Sequence, residues 1–127
     1  MAILKEIMTG EVYTTTRDAP VAQVAASMLK GRFGSAIVME GSWLTGIFTE
    51  RDVLRAAASG ADLTSSPVAD WMTNDPVTAG AAMDADEATE IMMSRGFRHL
   101  PVVEGNTLIG IVSLRDLLRT RVRRPQR

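Results

Sequence analysis

The chain has 127 residues, of which 46% are apolar and 23% are charged, with a formal net charge of −1 and no cysteine. This composition predicts a soluble globular domain and excludes an intrinsically disordered segment, a disulfide scaffold and a cysteine-type zinc site. No apolar run reaches the roughly 20 residues that cross a bilayer, and the single histidine cannot build a multi-histidine metal site. We therefore expect a cytoplasmic protein that binds neither a membrane nor a metal.

The sequence contains an internal repeat, and a shift of 64 positions (72 − 8 = 64) relates its two copies without a gap. Identical residues in the two copies include Met8 and Met72, Thr9 and Thr73, Gly46 and Gly110, and Asp52 and Asp116. A chance register would not preserve so many identities, so the repeat predicts one structural unit used twice.

The elements of the first copy follow one another as strand, helix, strand, strand and helix. β-Branched residues predict a short strand at 12–16, and apolar residues at helical spacing predict a helix at 21–31 that ends at Gly31. Two strands are predicted at 36–39 and 44–48, on either side of a turn, and a helix at 51–57 closes the unit.

The second copy gives the same series with clearer helix boundaries. Asp84 and Glu87 resemble a capping box before a helix at 85–94, which Gly96 ends, and strands at 101–103 and 108–112 precede a helix at 115–119. The composition of residues 59–67 is that of a loop. The predicted organisation is repeat 1 at 1–58, a linker at 59–67, repeat 2 at 68–121 and a basic tail at 122–127.

We predict an α+β fold in which the two repeats pack as a pseudo-twofold pair, with the sheets facing each other and the helices outside. Each repeat closes on Gly-x-x-Thr/Ser-x-x-Asp, which runs over 46–52 and 110–116. The hydroxyl residue caps a helix whose first N–H groups favour an anion, and the aspartate offers two acceptors to a cis-diol such as ribose. Plain helix capping by the same residues is the alternative.

These features together resemble a pair of cystathionine-β-synthase-type (CBS) domains, the arrangement called a Bateman module. The resemblance covers nearly the whole chain, from near Leu4 to near Thr120. Four pieces carry it: an opening Met-Thr, a threonine-bearing strand, the segment Gly-Phe-Arg-His-Leu-Pro-Val-Val at 96–103, and the closing motif. The first copy departs from the pattern, because it has Gly34 and Ser35 where the second copy has Arg98 and His99.

The resemblance implies roles for polar residues around the closing motifs. The motif aspartates would hold ribose hydroxyls, and the motif hydroxyl residues would contact ribose or phosphate. One threonine on the first strand of each copy would lie near the adenine or the ribose, although a strand also favours threonine. The residues with these implied roles are Asp52, Asp116, Thr49, Ser113, Thr14 and Thr78.

The resemblance also implies phosphate contacts by basic residues. Arg51 and Arg115, which precede the motif aspartates, would reach the phosphate of a nucleotide held mainly by the opposite copy. Arg115, Arg98 and His99 would then converge on the pocket of the first copy. We therefore expect alanine at the first motif aspartate to weaken a phosphorylated ligand more than alanine at the second. The alternatives are solvated surface arginines and a structural histidine beside an apolar strand.

The helix faces and the C-terminus bear on partners. Met28, Met92 and Met93 lie at helical spacing that predicts core packing, although similar modules pair such faces in disc-like dimers, so we expect a homodimer. The arginines at 119–127 have no interleaved aromatic residues, which favours a solvated terminus over a nucleic-acid contact.

The predicted function is that of a stand-alone regulatory protein without an obligatory cofactor. It binds an adenine nucleotide or other adenosyl ligand, such as AMP, ADP, ATP or S-adenosylmethionine, in clefts between the repeats and signals occupancy to a protein in trans. The alternative is a constitutive dimeric interaction scaffold with no obligatory ligand. No enzymatic activity is expected, because the chain has no cysteine, no second histidine and no Walker-type glycine loop.

Overall fold

The computed structural model describes the backbone of residues 2–123 and the side chains of residues 2–120. Within these residues the strands are β1 (Thr14–Thr15), β2 (Ser35–Glu40), β3 (Trp43–Thr49), β4 (Thr73–Asn74), β5 (Ala79–Gly80), β6 (His99–Glu104) and β7 (Thr107–Ser113). The helices are α1 (Leu4–Ile7), α2 (Val21–Gly31), α3 (Glu50–Ala58), α4 (Ala85–Arg95) and α5 (Leu114–Arg123), with a 3-10 turn at Val68–Asp70. The side chains of the predicted basic tail at 122–127 lie outside the described residues.

The strands form two sheets, one in the order β1-β2-β3-β4 and the other in the order β5-β6-β7. β1 runs parallel to β2, and β2 and β3 form an antiparallel hairpin in which Ile37 pairs with Ile47; β5, β6 and β7 repeat this pattern, with Pro101 opposite Ile111. The predicted α+β fold with two equivalent units is confirmed. None of the helices in residues 2–123 is long and apolar enough to cross a membrane.

Each sheet is covered by the apolar side of a helix pair. Val21, Val24 and Met28 of α2 are buried with Phe48 of β3 in one cluster, because they recur at the three- and four-residue spacing of a single helical face. The second cluster contains Leu100, Val102 and Val112 of the sheet with Ala88 and Met92 of α4. The methionines at positions 28 and 92 are therefore core residues, whereas Met93 is exposed.

The chain divides into two compact units that do not coincide with the predicted repeat bounds. The first-repeat unit comprises Val12–Pro76, and the second-repeat unit comprises Met1–Glu11 together with Val77–Arg127. β4 pairs with β3 of the first-repeat unit, while Thr9 forms a bridge to Ile111 of the second-repeat unit. Each opening Met-Thr segment therefore completes the sheet of the other sequence repeat.

The exchanged segments explain why methionine and glycine recur together in the two copies. A Cβ atom on Gly110 would lie 2.7 Å from Met8 Sδ and 2.8 Å from the Thr9 carbonyl oxygen. A Cβ atom on Gly46 would lie 2.6 Å from Met72 Sδ and 3.0 Å from the Thr73 carbonyl oxygen, so glycine at both positions leaves room for the segment that pairs with the sheet.

The predicted linker is folded against the start of α2. The backbone N–H groups of Val21 and Ala22 donate to the carbonyl oxygens of Ser66 (2.8 Å) and Leu63 (2.9 Å). Asp62 organises the turn, and the hydrogen bonds that its carboxylate accepts from Thr64 lower the pKa of Asp62 below its usual range. The linker composition thus encodes a hydrogen-bonded turn that belongs to the first-repeat unit.

Candidate functional site

The closing motif of the first repeat lies at the junction between β3 and α3. Thr49 is extended at this junction (φ −122°, ψ 171°), and its backbone N–H donates to Asp52 Oδ2 at 2.9 Å. The Thr49 hydroxyl donates to the same oxygen at 3.2 Å. Asp52 is 6% exposed and thus caps its own helix from a buried position.

The second oxygen of Asp52 is bound by an arginine that the sequence analysis did not single out. Arg55 Nη1 donates to Asp52 Oδ1 at 2.9 Å and lies 3.4 Å from the carbonyl oxygen of Trp71. The guanidinium carbon of Arg55 also lies 5.7 Å from the centre of the Trp71 ring, within the range of a cation–π contact. Both oxygens of this carboxylate are therefore engaged within the first-repeat unit.

The closing motif of the second repeat has a different hydrogen-bond pattern. Ser113 Oγ accepts a hydrogen bond from the backbone N–H of Asp116 at 3.0 Å, so the hydroxyl group is the cap. Among the residues whose side chains are described, none donates a hydrogen bond to the Asp116 carboxylate. Asp116 is half-buried and keeps its two acceptor oxygens for another donor.

The start of β6 places basic residues beside this second motif. His99 pairs with Ser113 across the β6–β7 hairpin, and the backbone N–H of Leu114 donates to the carbonyl oxygen of Arg98 at 2.8 Å. The side chains of Arg98 and Arg115 are exposed, and His99 is half-buried. The second-repeat unit therefore brings five of the predicted site residues to one edge of its sheet: Arg98, His99, Ser113, Arg115 and Asp116.

The first-repeat unit lacks the basic residues at the start of the equivalent strand, because Gly34 and Ser35 stand where the second repeat has Arg98 and His99. Ser35 pairs with Thr49, and the N–H of Glu50 donates to the carbonyl oxygen of Gly34 at 3.3 Å. The backbone is thus the same in both units, and the residue pair at the start of the strand differs. Arg51, the predicted phosphate contact that corresponds to Arg115, is exposed on the first turn of α3.

The two predicted threonines are both exposed near the first strand of their units. Thr14 lies on β1, where it pairs with Ile37. The prediction that Thr78 lies on a strand is wrong by one residue, because β5 begins at Ala79, the first residue whose backbone pairs with β6.

Metal chemistry has no candidate centre in the described part of the chain. No group of three or more histidine, aspartate and glutamate side chains within it is placed to hold a metal ion.

The residues that the structure adds to the site are Arg55 and Trp71. Arg55 is repeated as Arg119, so the repeat itself marked it, but no sequence spacing links it to an aromatic residue 16 positions away.

The fold and the paired junctions define a tandem-repeat α+β module with one polar strand-to-helix junction per repeat. The family model described as "CBS domain" matches residues 4–59 and again residues 68–123. The chain therefore belongs to the CBS domain family, and the resemblance seen in the sequence is confirmed.

Known relatives agree with this membership. The CBS domain-containing protein YhcV of Bacillus subtilis is 34% identical over 118 residues, which cover 92% of this chain and 84% of the relative. The solved structure of the CBS domain protein PAE2072 from Pyrobaculum aerophilum, complexed with AMP, is 28% identical, with a TM-score of 0.83 over 91% of this chain and 89% of that one. A hexameric CBS-CP12 protein from bloom-forming cyanobacteria matches with a TM-score of 0.90 and 30% identity, over 100% of this chain and 76% of that one.

Proposed function

We propose that the protein is a regulatory module that binds an adenosyl ligand and takes it first at the closing motif of the second repeat. The observation that carries the proposal is the Asp116 carboxylate, which accepts no hydrogen bond from the described side chains and lies at the sheet edge that also carries Arg98 and Arg115. A nucleotide needs both an acceptor for its ribose diol and positive charge for its phosphate, and this edge supplies both.

The local chemistry assigns one role to each side chain. The Asp116 carboxylate accepts two hydrogen bonds from the vicinal hydroxyls of ribose. Arg98, whose backbone is fixed to Leu114, and Arg115 neutralise the phosphate, assisted by the partial positive charge at the start of α5. His99 and Ser113 complete the polar rim, and Thr78, one residue before β5, stays a predicted contact of the adenine or the ribose.

The known relatives support the ligand class. PAE2072 has been solved with AMP bound, and its structure matches 91% of this chain. We therefore propose AMP or another adenine nucleotide as the ligand, with S-adenosylmethionine as the further candidate. The binding is regulatory and no chemical step is assigned. The proposed output is a signal of ligand occupancy to a partner protein in trans. The cytoplasmic location expected from the composition belongs to the same proposal.

Isothermal titration with AMP, ADP, ATP and S-adenosylmethionine tests the proposal. We expect at least one of them to bind with a dissociation constant below about 1 mM, the affinity that corresponds to about 4 kcal/mol. Asp116→Asn removes the charge but keeps the shape, and hydrogen bonds to a charged group contribute about 1.5–3 kcal/mol, so the affinity falls by about 10- to 100-fold.

The control for this substitution is Glu104→Gln. It neutralises an exposed carboxylate at the end of β6 that joins the hairpin turn, at the opposite end of this strand from His99. We expect this variant to bind as the wild type does. Equal losses in the two variants, or no binding of any compound by the wild type, would refute the proposed site.

A second candidate function, a constitutive protein-interaction scaffold, is favoured by a different observation. Leucine or methionine is exposed at equivalent positions of the two repeats. Leu29 of α2 corresponds to Met93 of α4, and Leu54 of α3 corresponds to Leu118 of α5. We infer that these positions contact a second copy of the chain, so that dimerisation and ligand binding coexist. A dimer that bound no adenosyl compound would leave the scaffold as the function.

A further inference from the structure

In the first-repeat unit, hydrogen bonds within the unit occupy the carboxylate of the closing motif. Asp52 accepts three donors: the Thr49 backbone N–H, the Thr49 hydroxyl and Arg55 Nη1. Its side chain is 9% exposed, whereas that of Arg55 is 56% exposed. A carboxylate has about four lone-pair sites, so a buried one with three donors has little capacity left for a ligand.

Trp71 holds the arginine of this arrangement. The Arg55 guanidinium lies 5.7 Å from the centre of the Trp71 ring and also reaches the Trp71 carbonyl oxygen at 3.4 Å. Trp71 is itself partly buried against the first-repeat core, so its ring has a fixed place from which to orient the guanidinium. An arginine with two anchors loses less side-chain entropy on pairing with a carboxylate than a freely rotating one.

The second repeat has the same Asp-x-x-Arg spacing without the aromatic anchor. Asp116 and Arg119 correspond to Asp52 and Arg55, and the residue that corresponds to Trp71 is Ile7 (71 − 64 = 7). Ile7 packs against the second-repeat core and offers no ring face to a cation. Within the described side chains, Arg119 forms no ion pair with Asp116. The difference between the two carboxylates thus follows the difference between tryptophan and isoleucine.

We propose that Trp71 and Arg55 form an intramolecular latch that occupies the ribose-binding carboxylate of the first repeat and restricts adenosyl-ligand binding to the second repeat. The latch rests on the proposed function, because it assigns which of two equivalent motifs takes the ligand. A ligand diol at the first motif must displace a charge-assisted hydrogen bond from a buried carboxylate, whereas at the second motif it displaces only water. Trp71 acts as a positioning residue, through Arg55.

The number of AMP molecules bound per chain, measured by isothermal titration, tests the latch. We expect one AMP for the wild type and two for Arg55→Ala, with the affinity of the first repeat rising at least tenfold. Adding Asp52→Asn to Arg55→Ala removes the second site again. The matched control is Arg119→Ala, which removes the equivalent arginine of the second repeat and leaves one AMP per chain.

Substitutions at position 71 separate positioning from a general structural role. Trp71→Ile copies the residue of the second repeat and should give two AMP per chain, whereas Trp71→Phe keeps a ring face and should give one. A purely structural tryptophan would lower the melting temperature in both variants and leave the number of sites unchanged. That result would overturn the latch.

A melting experiment without ligand gives an independent readout of the ion pair. The melting-temperature losses of Arg55→Ala and Asp52→Asn should be non-additive by about 2–4 °C, while Arg119→Ala and Asp116→Asn should add. Additive losses in the first pair overturn the latch. One AMP per chain in both wild type and Arg55→Ala overturns the latch alone, whereas no binding of AMP, ADP, ATP or S-adenosylmethionine to either protein overturns the proposed function and the latch together.

Discussion

Arg32 has a left-handed backbone conformation after α2, and the equivalent residue of the second repeat is a glycine. α2 ends at Gly31 as predicted, but the left-handed residue that follows it is Arg32 (φ 59°), whereas Gly96 takes this conformation after α4 (φ 78°). An L-residue in the left-handed region costs about 1–2 kcal/mol, which glycine does not incur. The first repeat therefore stores strain at a helix end that the second repeat avoids.

We predict that Arg32→Gly stabilises the protein by about 0.5–1 kcal/mol, the relief of strain being partly offset by the greater freedom of glycine in the unfolded chain. Urea unfolding measures this change. The control is Lys30→Gly, two residues earlier on the exposed side of α2, which should cost about 1 kcal/mol because it lies within the helix. Destabilisation by both substitutions would contradict a strained Arg32.

At the same scale, the sequence singled out polar residues for the candidate site but not the hydrogen bonds that they form. The motif spacing located Thr49, Asp52, Ser113 and Asp116 because a hydroxyl residue and an acid at a helix start have a recognisable pattern. The sequence-based expectation gave the first motif aspartate the larger share of ligand binding. The proposed function takes the reverse order, because Asp52 already accepts Arg55 Nη1, and Arg55 contacts Trp71, which no local spacing connects to the motif.

Among the elements, strands and helices with a strong apolar pattern were predicted within one or two residues, apart from the C-terminal helix, which runs on to Arg123. The elements that the prediction missed are α1, the 3-10 turn at Val68–Asp70 and β4, each of four residues or fewer. Segments this short have no periodicity to detect, and each contacts the other sequence repeat. β4 pairs with β3, the Leu4 N–H of α1 donates to the Met83 carbonyl oxygen, and the Val68 N–H donates to the Ala19 carbonyl oxygen.

We predict that Gly110→Ala destabilises the protein by about 1–3 kcal/mol, the usual cost of overpacking, because its Cβ would lie 2.7 Å from Met8 Sδ and 2.8 Å from the Thr9 carbonyl oxygen. Gly80→Ala is the matched control in the same sheet, since a Cβ there meets no atom within 4 Å and its φ is not positive. Thermal unfolding measures both. If the two substitutions lower the free energy of unfolding equally, the opening segment does not pack against β7 at Gly110.

The molecule as a whole is organised by this exchange of opening segments. Leu4 is fully buried in the second-repeat cluster although it lies at the start of the first sequence repeat, and its backbone N–H donates to the carbonyl oxygen of Met83 at 3.0 Å. Neither sequence repeat can therefore complete its own core alone. Sequence comparison reveals the two copies but not the exchange, because both arrangements would bury the same residue types.

The exposed apolar side chains are the remaining surface feature of the whole molecule, and they carry the last prediction. Leu54 and Leu118 are 70% and 41% exposed at equivalent positions (118 − 54 = 64) on helices of the two units. Full burial of an exposed leucine side chain contributes about 1.5–3 kcal/mol, so a contact that uses both repeats of two chains gains from four leucines, and the two copies of Leu118 contribute less because more than half of each is already buried. We expect light scattering to give twice the chain mass for the wild type and a single chain mass for Leu54→Glu with Leu118→Glu.

Trp43→Glu is the control for this experiment, because Trp43 is 67% exposed and the equivalent position of the second repeat holds Thr107 (43 + 64 = 107). A contact built on the repeated positions leaves this variant dimeric. Dissociation by Trp43→Glu and retention of the dimer by the leucine variants would move the interface to the β2–β3 hairpin. If the wild type has the mass of one chain, the repeated apolar positions do not bind a second copy, and the scaffold function loses its support.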